Sequence, residues 1–121
     1  MVDSEKPNWV ARRWSYAPPT WRMFEALVAE RDKWLNTAAG ERTPAVVEAS
    51  RPNRVVLSPW VDERVQRVEV LLEPKGDGSQ LTVVTRTTEE LTPEEQKAIG
   101  YRVGVAFGGA LRRWVHAGIT A

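Results

Sequence analysis

The chain has no cysteine, and that one absence removes disulfides, thiol nucleophiles and thiolate metal sites. Histidine is nearly as scarce. His116 stands alone, so a histidine-based metal site or a Ser-His-Asp arrangement would lack partners. Its place near the end of the last amphipathic stretch suits a favourable contact with a helix dipole instead. Lysine is sparse as well, with four against thirteen arginines, and Arg12-Arg13 and Arg112-Arg113 are pairs rather than patches. Acidic and basic residues interleave to a formal net charge of +1, which predicts no electrostatic footprint for nucleic acid. No apolar run approaches bilayer length, so no membrane insertion is expected, and the N-terminus lacks the charged-then-apolar pattern of a signal peptide. A chain that manages without disulfide staples fits the cytoplasm. No cofactor is indicated: Gly76-Asp77-Gly78 opens no helix, so it is a turn and not a phosphate loop.

What is present is enough for one core. The 121 residues are 42% hydrophobic and include six tryptophans, which suits a single domain and is short for two. Residues 1–8 are polar with Pro7 and read as a flexible tail. Residues 9–121 make the domain.

The stretch Thr92 to Gly118 organises it. Thr92-Pro93-Glu94-Glu95 has the parts of a capping box with proline in the first turn, so a helix starts there. At about 100° per residue, Ile99, Val103, Ala106, Phe107, Ala110, Leu111, Trp114 and Val115 share one broad apolar face, with Arg102, Arg112, Arg113 and His116 opposite. No other stretch offers a comparable helix, so a β-sheet is the expected cover. Gly100, Gly104 and Gly108 recur every fourth residue beside that face, although each glycine in a helix costs about 1 kcal/mol against alanine. Close approach of another backbone would account for them. So would room left for a ligand, or for a second copy of the helix. A membrane-type GxxxG reading fails on the arginines.

Upstream, Val10, Arg12, Trp14 and Tyr16 alternate against Ala11, Arg13 and Ser15, predicting a strand over 9–17 that Pro18-Pro19 ends. From Thr20 to about Leu35, Trp21, Phe24, Leu27, Val28, Trp34 and Leu35 form a helical arc. Arg31 lands inside that arc. A break near Glu30 to Lys33, followed by a turn or a second short helix carrying Trp34, avoids a buried arginine that would need a carboxylate partner. Asn36 to Thr43 reads as a loop. Strand-like runs follow at Pro44 to Ala49, Arg54 to Trp60, Val65 to Glu73 and Gln80 to Thr88, separated by turn signals, as in an antiparallel sheet. Val68, Val70 and Leu72 alternate with Arg67, Glu69 and Glu73, and the glycines of Pro74 to Ser79 supply a tight turn. The pattern is α+β, an antiparallel sheet under a long C-terminal helix with one or two short helices near the N-terminus.

Three phrases carry a family resemblance: Ala17-Pro18-Pro19 with Trp21; Ser50-Arg51-Pro52-Asn53-Arg54-Val55-Val56-Leu57-Ser58-Pro59-Trp60; and the hairpin from Val68-Glu69-Val70-Leu71-Leu72-Glu73-Pro74 through Lys75-Gly76-Asp77-Gly78-Ser79 to Gln80-Leu81-Thr82-Val83. With the element order, they resemble the SRPBCC (START-like, Bet v 1-like) superfamily, and within it the branch related to the activator of Hsp90 ATPase. That resemblance implies a helix-grip domain. Its members typically place another strand pair between the first helical segment and the strand before Arg51. Too few residues separate Trp34 from Pro44 for that hairpin, which implies a shortened sheet and a cavity that is shallow, open at one edge or closed by a second subunit. An open sheet edge is relieved by pairing, so a homodimer is expected.

The resemblance implies binding of an apolar or amphipathic small molecule between sheet and terminal helix. The ligand-binding candidates are Trp34, Trp60, Glu69, Gly104, Phe107, Gly108 and Trp114: aromatic lining, a glycine flank, and one carboxylate to orient a ligand. The same rings also fill a small core, and Glu69 also suits a solvated sheet face. A protein-interaction module like the Hsp90-activator branch is the alternative. A polyketide cyclase or aromatase-like enzyme is a third reading, but no converging acid/base set stands out and no catalytic residue is assigned. The carboxylate pairs Glu89-Glu90 and Glu94-Glu95 precede the helix, where negative charge is stabilising in itself.

Overall fold

The computed structural model describes residues 7–35, 43–60 and 63–116. Most of the expected tail at 1–8 and of the loop at 36–43, and the end of the terminal helix at 117–118, lie outside the described residues. Ten elements follow in order: β1 (Trp9–Tyr16), α1 (Thr20–Val28), α2 (Arg31–Trp34), β2 (Val46–Ser50), β3 (Arg54–Leu57), β4 (Val65–Lys75), β5 (Gly78–Thr87), α3 (Pro93–Val103), a π-helical segment (Gly104–Gly109) and α4 (Ala110–Trp114). The last three run on as one rod.

The strands form a single antiparallel sheet in the order β1-β5-β4-β3-β2. Its centre is the β4–β5 hairpin, where Leu72 faces Leu81 and Val70 faces Val83. The hairpin turns on Gly76, whose φ of 60° suits a residue without a Cβ, and Lys75 pairs with Gly78 across it. β1 returns to pair with β5, Trp14 opposite Leu81 and Tyr16 opposite Ser79. On the other side β3 and β2 complete the sheet through a turn containing a cis Arg51–Pro52 bond. The run expected to reach Trp60 is strand only to Leu57.

Period-two alternation fixes which face is covered. Val55, Leu57, Val68, Val70, Leu72, Leu81 and Val83 are all buried, and they meet Met23, Phe24 and Leu27 of α1 and Ile99, Val103, Phe107 and Leu111 of the rod. α1 packs across β3, β4 and β5, while α3 lies over β1. Each fully buried side chain of this size contributes about 1.5–3 kcal/mol, so this single apolar layer is the main source of stability.

The rod begins as its sequence dictates. Thr92 Oγ1 accepts from the Glu95 amide at 3.2 Å and Glu95 Oε1 accepts from the Thr92 amide at 2.8 Å, satisfying two donors the helix leaves open. The expected break is present, with the short helix α2 carrying Trp34 after it, but Arg31 is still partly enclosed and finds partners other than a carboxylate. The break falls between Val28 and Arg31, and the half-buried guanidinium donates to the carbonyls of Val28 at 2.6 Å, Leu27 at 3.3 Å and Pro44 at 2.7 Å. These carbonyls, two at the end of α1 and one just before β2, do the work of the carboxylate that a buried arginine was expected to need.

Candidate functional site: an aromatic cluster beneath the rod

Phe107 is fully buried at the middle of the π-helical segment, and rings from three other elements or loops converge on it. Trp34 of α2 meets it edge-on, with centroids 5.0 Å apart and planes at 82°. Trp14 of β1 stacks at 6.4 Å and 17°, and Trp60, just after β3, lies at 6.4 Å and 49°. Trp34 in turn stacks on Trp114 at 6.4 Å. The Trp34 indole N–H donates to the Ala26 carbonyl at 2.9 Å, which fixes the ring in place and satisfies its one polar atom.

Trp114 is half-buried and forms the outer end of the cluster. The Arg22 guanidinium lies 5.8 Å from its ring and pairs with Glu30 at 2.6 Å. The hydrogen bond from Arg22 holds the Glu30 carboxyl below its ordinary range. The cluster thus has an apolar interior and a charged rim on the α1–α2 side.

Four of the seven candidate residues, Trp34, Trp60, Phe107 and Trp114, come together in this way. Three do not. Glu69 sits between the buried Val68 and Val70, so it points to the opposite face of the sheet, where it accepts from Arg54 Nε at 2.6 Å. Its placement under the rod is corrected by the very alternation that marks the strand. Gly104 and Gly108 lie on the flank facing β1. A Cβ on Gly108 would stand 2.3 Å from Trp14 Cε2, and one on Gly104 would stand 3.1 Å from Arg12 Nη1. The close approach expected along the glycines is therefore made by side chains of β1 rather than by a backbone.

The sequence reading passed over Trp14, Arg12 and Tyr16, although their alternation in β1 puts them on one face with Val10. Arg12 Nη1 donates to the Gly100 carbonyl at 2.6 Å, and the Tyr16 hydroxyl donates to the Gly108 carbonyl at 3.0 Å. Burial pushes the Tyr16 phenol well above its ordinary value of 10.0, outweighing the opposing charge of Arg112. It is a fixed donor and a poor proton-transfer group at neutral pH. Other inward polar groups are engaged too: Ser79 Oγ donates to the Pro18 carbonyl and Thr87 Oγ1 to the Glu89 carbonyl. Thr85 Oγ1 is buried with no hydrogen-bond partner among the described residues.

Among the described residues no three His, Asp or Glu side chains gather as a metal site. No helix among them is long and apolar enough to cross a membrane.

No protein-family model matches the sequence, and no curated protein matches it. Solved structures do match in fold. DynU16, from the dynemicin biosynthetic locus, superposes with a TM-score of 0.65 at 20% identity over 93% of this chain. The match spans 48% of DynU16, about half its length. Ara h 8.0201 gives a TM-score of 0.59 at 14% identity, covering 90% of this chain and 97% of that one. The Aha1 dimer from Colwellia psychrerythraea gives 0.55 at 11%, covering 83% and 97%. Such identities speak to fold alone, and the sheet order with its overlying terminal rod agrees with them: the chain has the helix-grip, START-like (Bet v 1-like) fold of the SRPBCC type.

Proposed function

We propose that this domain binds an apolar or amphipathic small molecule against the rings of Trp34, Trp60, Phe107 and Trp114. The observation that carries the reading is the convergence of these rings beneath a π-helical segment. Wider helical turns of this kind recur at functional sites, because the altered hydrogen bonding lets one side chain be re-aimed and lets the backbone adjust. An apolar ligand gains from ring contact, and the ion pair of Arg22 and Glu30 beside Trp114 suits a polar end of such a ligand. Binding is favoured over catalysis because Tyr16, Ser79 and Thr87 already spend their hydroxyls on backbone carbonyls.

Tryptophan fluorescence titration with fatty acids and aromatic polyketides tests this directly. The expected result is a saturable shift that Trp34→Phe attenuates while the far-ultraviolet dichroism stays unchanged. Silence across the panel would remove the idea.

A homodimer is the second part of the reading, and one edge of the sheet favours it. Among the described residues β2 ends the sheet on its far side, Val47 is 66% exposed, and a cleft of about 520 Å³ lined by Val47, Glu48, Val56, Pro59, Arg67 and Arg86 opens from it across the sheet. Glu48, at the middle of β2, already pairs with Arg54 at 3.1 Å, so a second copy added there sets no bare charges against each other. Light scattering should give twice the chain mass at micromolar concentration, and Val47→Lys should return it to monomer. A clean wild-type monomer rejects the dimer.

A further inference from the structure

The opposite edge of the sheet carries a different surface. β1 is the end strand there among the described residues, so one of its backbone edges faces no other strand. Two clefts of about 560 and 400 Å³ run along the seam between β1 and the rod and share Arg12 and Tyr101, making one continuous groove. Large apolar groups stand open along it: Tyr101 is 71% exposed, Trp9 46% and Val105 42%. Isolated apolar side chains on a surface need no explanation, but three in one groove beside an open strand do.

Its charge is of one sign. Arg12, Lys97, Arg112 and Arg113 line the two clefts, and no aspartate or glutamate does. None of the four forms an ion pair among the described residues. Two of them are already positioned. Arg12 is held by the Gly100 carbonyl with its guanidinium 5.3 Å from the Trp14 ring centroid, and Arg112 lies 5.4 Å from the Tyr16 ring. Cations fixed in advance lose less freedom when an anion arrives.

We propose that this groove receives an extended acidic peptide segment of a partner protein, which adds to β1 as a further strand and sets carboxylates against Arg12, Arg112 and Arg113. The strand edge supplies main-chain hydrogen bonds, and alternate side chains of the added strand face the rod. Guanidinium groups bind carboxylates through charge-assisted hydrogen bonds, which gives the acidic preference. A second copy of this chain is a poor occupant. Arg12 and Arg13 lie at the middle of the eight-residue β1, so antiparallel self-pairing centred there sets arginine against arginine. None of Trp34, Trp60, Phe107 and Trp114 lines this seam between β1 and the rod, so the reading stands or falls separately from ligand binding at those rings.

The test is fluorescence anisotropy with a labelled peptide of eight residues, the length of β1, alternating glutamate and valine. Three comparisons decide: the same peptide with lysine for glutamate, the same peptide N-methylated at alternate residues to remove backbone donors, and the Arg112→Glu/Arg113→Glu protein, whose changes fall at exposed positions. The glutamate peptide should bind with an affinity that falls as salt rises, and each comparison should weaken it by about tenfold or more. Val47→Lys at the other edge should leave it unchanged, and amide shifts on binding should be largest in β1. No binding, equal affinity for the lysine or N-methylated peptide, or an unaffected double variant would overturn the proposal. So would a dimer that Trp9→Lys dissociates, which would give this edge to a second copy.

Discussion

The Tyr16 hydroxyl donates to the Gly108 carbonyl at 3.0 Å, joining the end of the first strand to the π-helical segment 92 residues later. That bond closes the fold on itself. A helix that departs from the regular ladder has carbonyls to satisfy, and this one is satisfied by a phenol from the sheet. Tyr16→Phe keeps the ring and strands the carbonyl, so it should lower the unfolding free energy by about 1–2 kcal/mol in urea titration. The same residue sets an alkaline limit. Its folded pKa lies above its ordinary value of 10.0, so the stabilisation is complete below pH 10 and is lost as pH rises toward the folded value, while the unfolded chain ionises. Wild type should lose stability over that window and Tyr16→Phe should lose less.

Two glycines on one flank should respond in opposite ways. Alanine at Gly108 would place its Cβ 2.3 Å from the Trp14 ring, which is itself stacked on Phe107, so nothing nearby yields cheaply. Gly108→Ala should therefore cost about 2 kcal/mol through overpacking. At Gly104 the nearest atom is Arg12 Nη1 at 3.1 Å, the end of a long side chain. There the helix-propensity gain of about 1 kcal/mol offsets the shift of Arg12, and Gly104→Ala should be neutral or mildly stabilising in thermal melts.

The contrast also marks what a linear reading reaches. The β4–β5 hairpin and the start of the rod are local: alternation of Val68, Val70 and Leu72, a positive-φ turn at Gly76, and a capping box at Thr92 all follow from neighbouring residues. The same alternation turns Glu69 outward, to the face where it meets Arg54. The gathering of Trp34, Phe107 and Trp114 was legible as three apolar positions on two helical arcs. Trp14 was not, because nothing in the rod's spacing says which strand covers its glycine flank. The π-helical segment was hidden for a different reason: a wheel drawn at a constant angle assumes the regular ladder that Gly104–Gly109 departs from. Arg31 escaped because carbonyls at a helix end are acceptors that no residue type announces.

Acid should weaken the start of the rod. Glu95 is held below its ordinary value of 4.5, chiefly by the hydrogen bond from the Thr92 amide, with smaller help from the Thr92 hydroxyl and from Arg64, its ion-pair partner. A carboxyl depressed in the folded state contributes stability above pH 4.5, and that contribution is lost as pH falls through the lowered folded value. Thr92→Ala removes the reciprocal cap and should cost about 1 kcal/mol at neutral pH. Glu95→Gln retains an acceptor without the charge, so its melting temperature should fall less than that of wild type between neutral pH and pH 3 on the ordinary glutamate scale. Equal acid sensitivity in both proteins would take the effect away from this residue.

Thr85 lies on the covered face of β5, between Val10 of β1 and Val68 of β4, and is fully buried. Its hydroxyl has no hydrogen-bond partner among the described residues. Valine has nearly the same shape, prefers strands and carries no oxygen to desolvate, so Thr85→Val should raise the unfolding free energy by about 1 kcal/mol. Calorimetry of the purified protein decides the sign. A loss of stability instead would mean that Thr85 Oγ1 has a partner in solution, and the missing enthalpy of that bond would appear as a lower heat of unfolding in the variant.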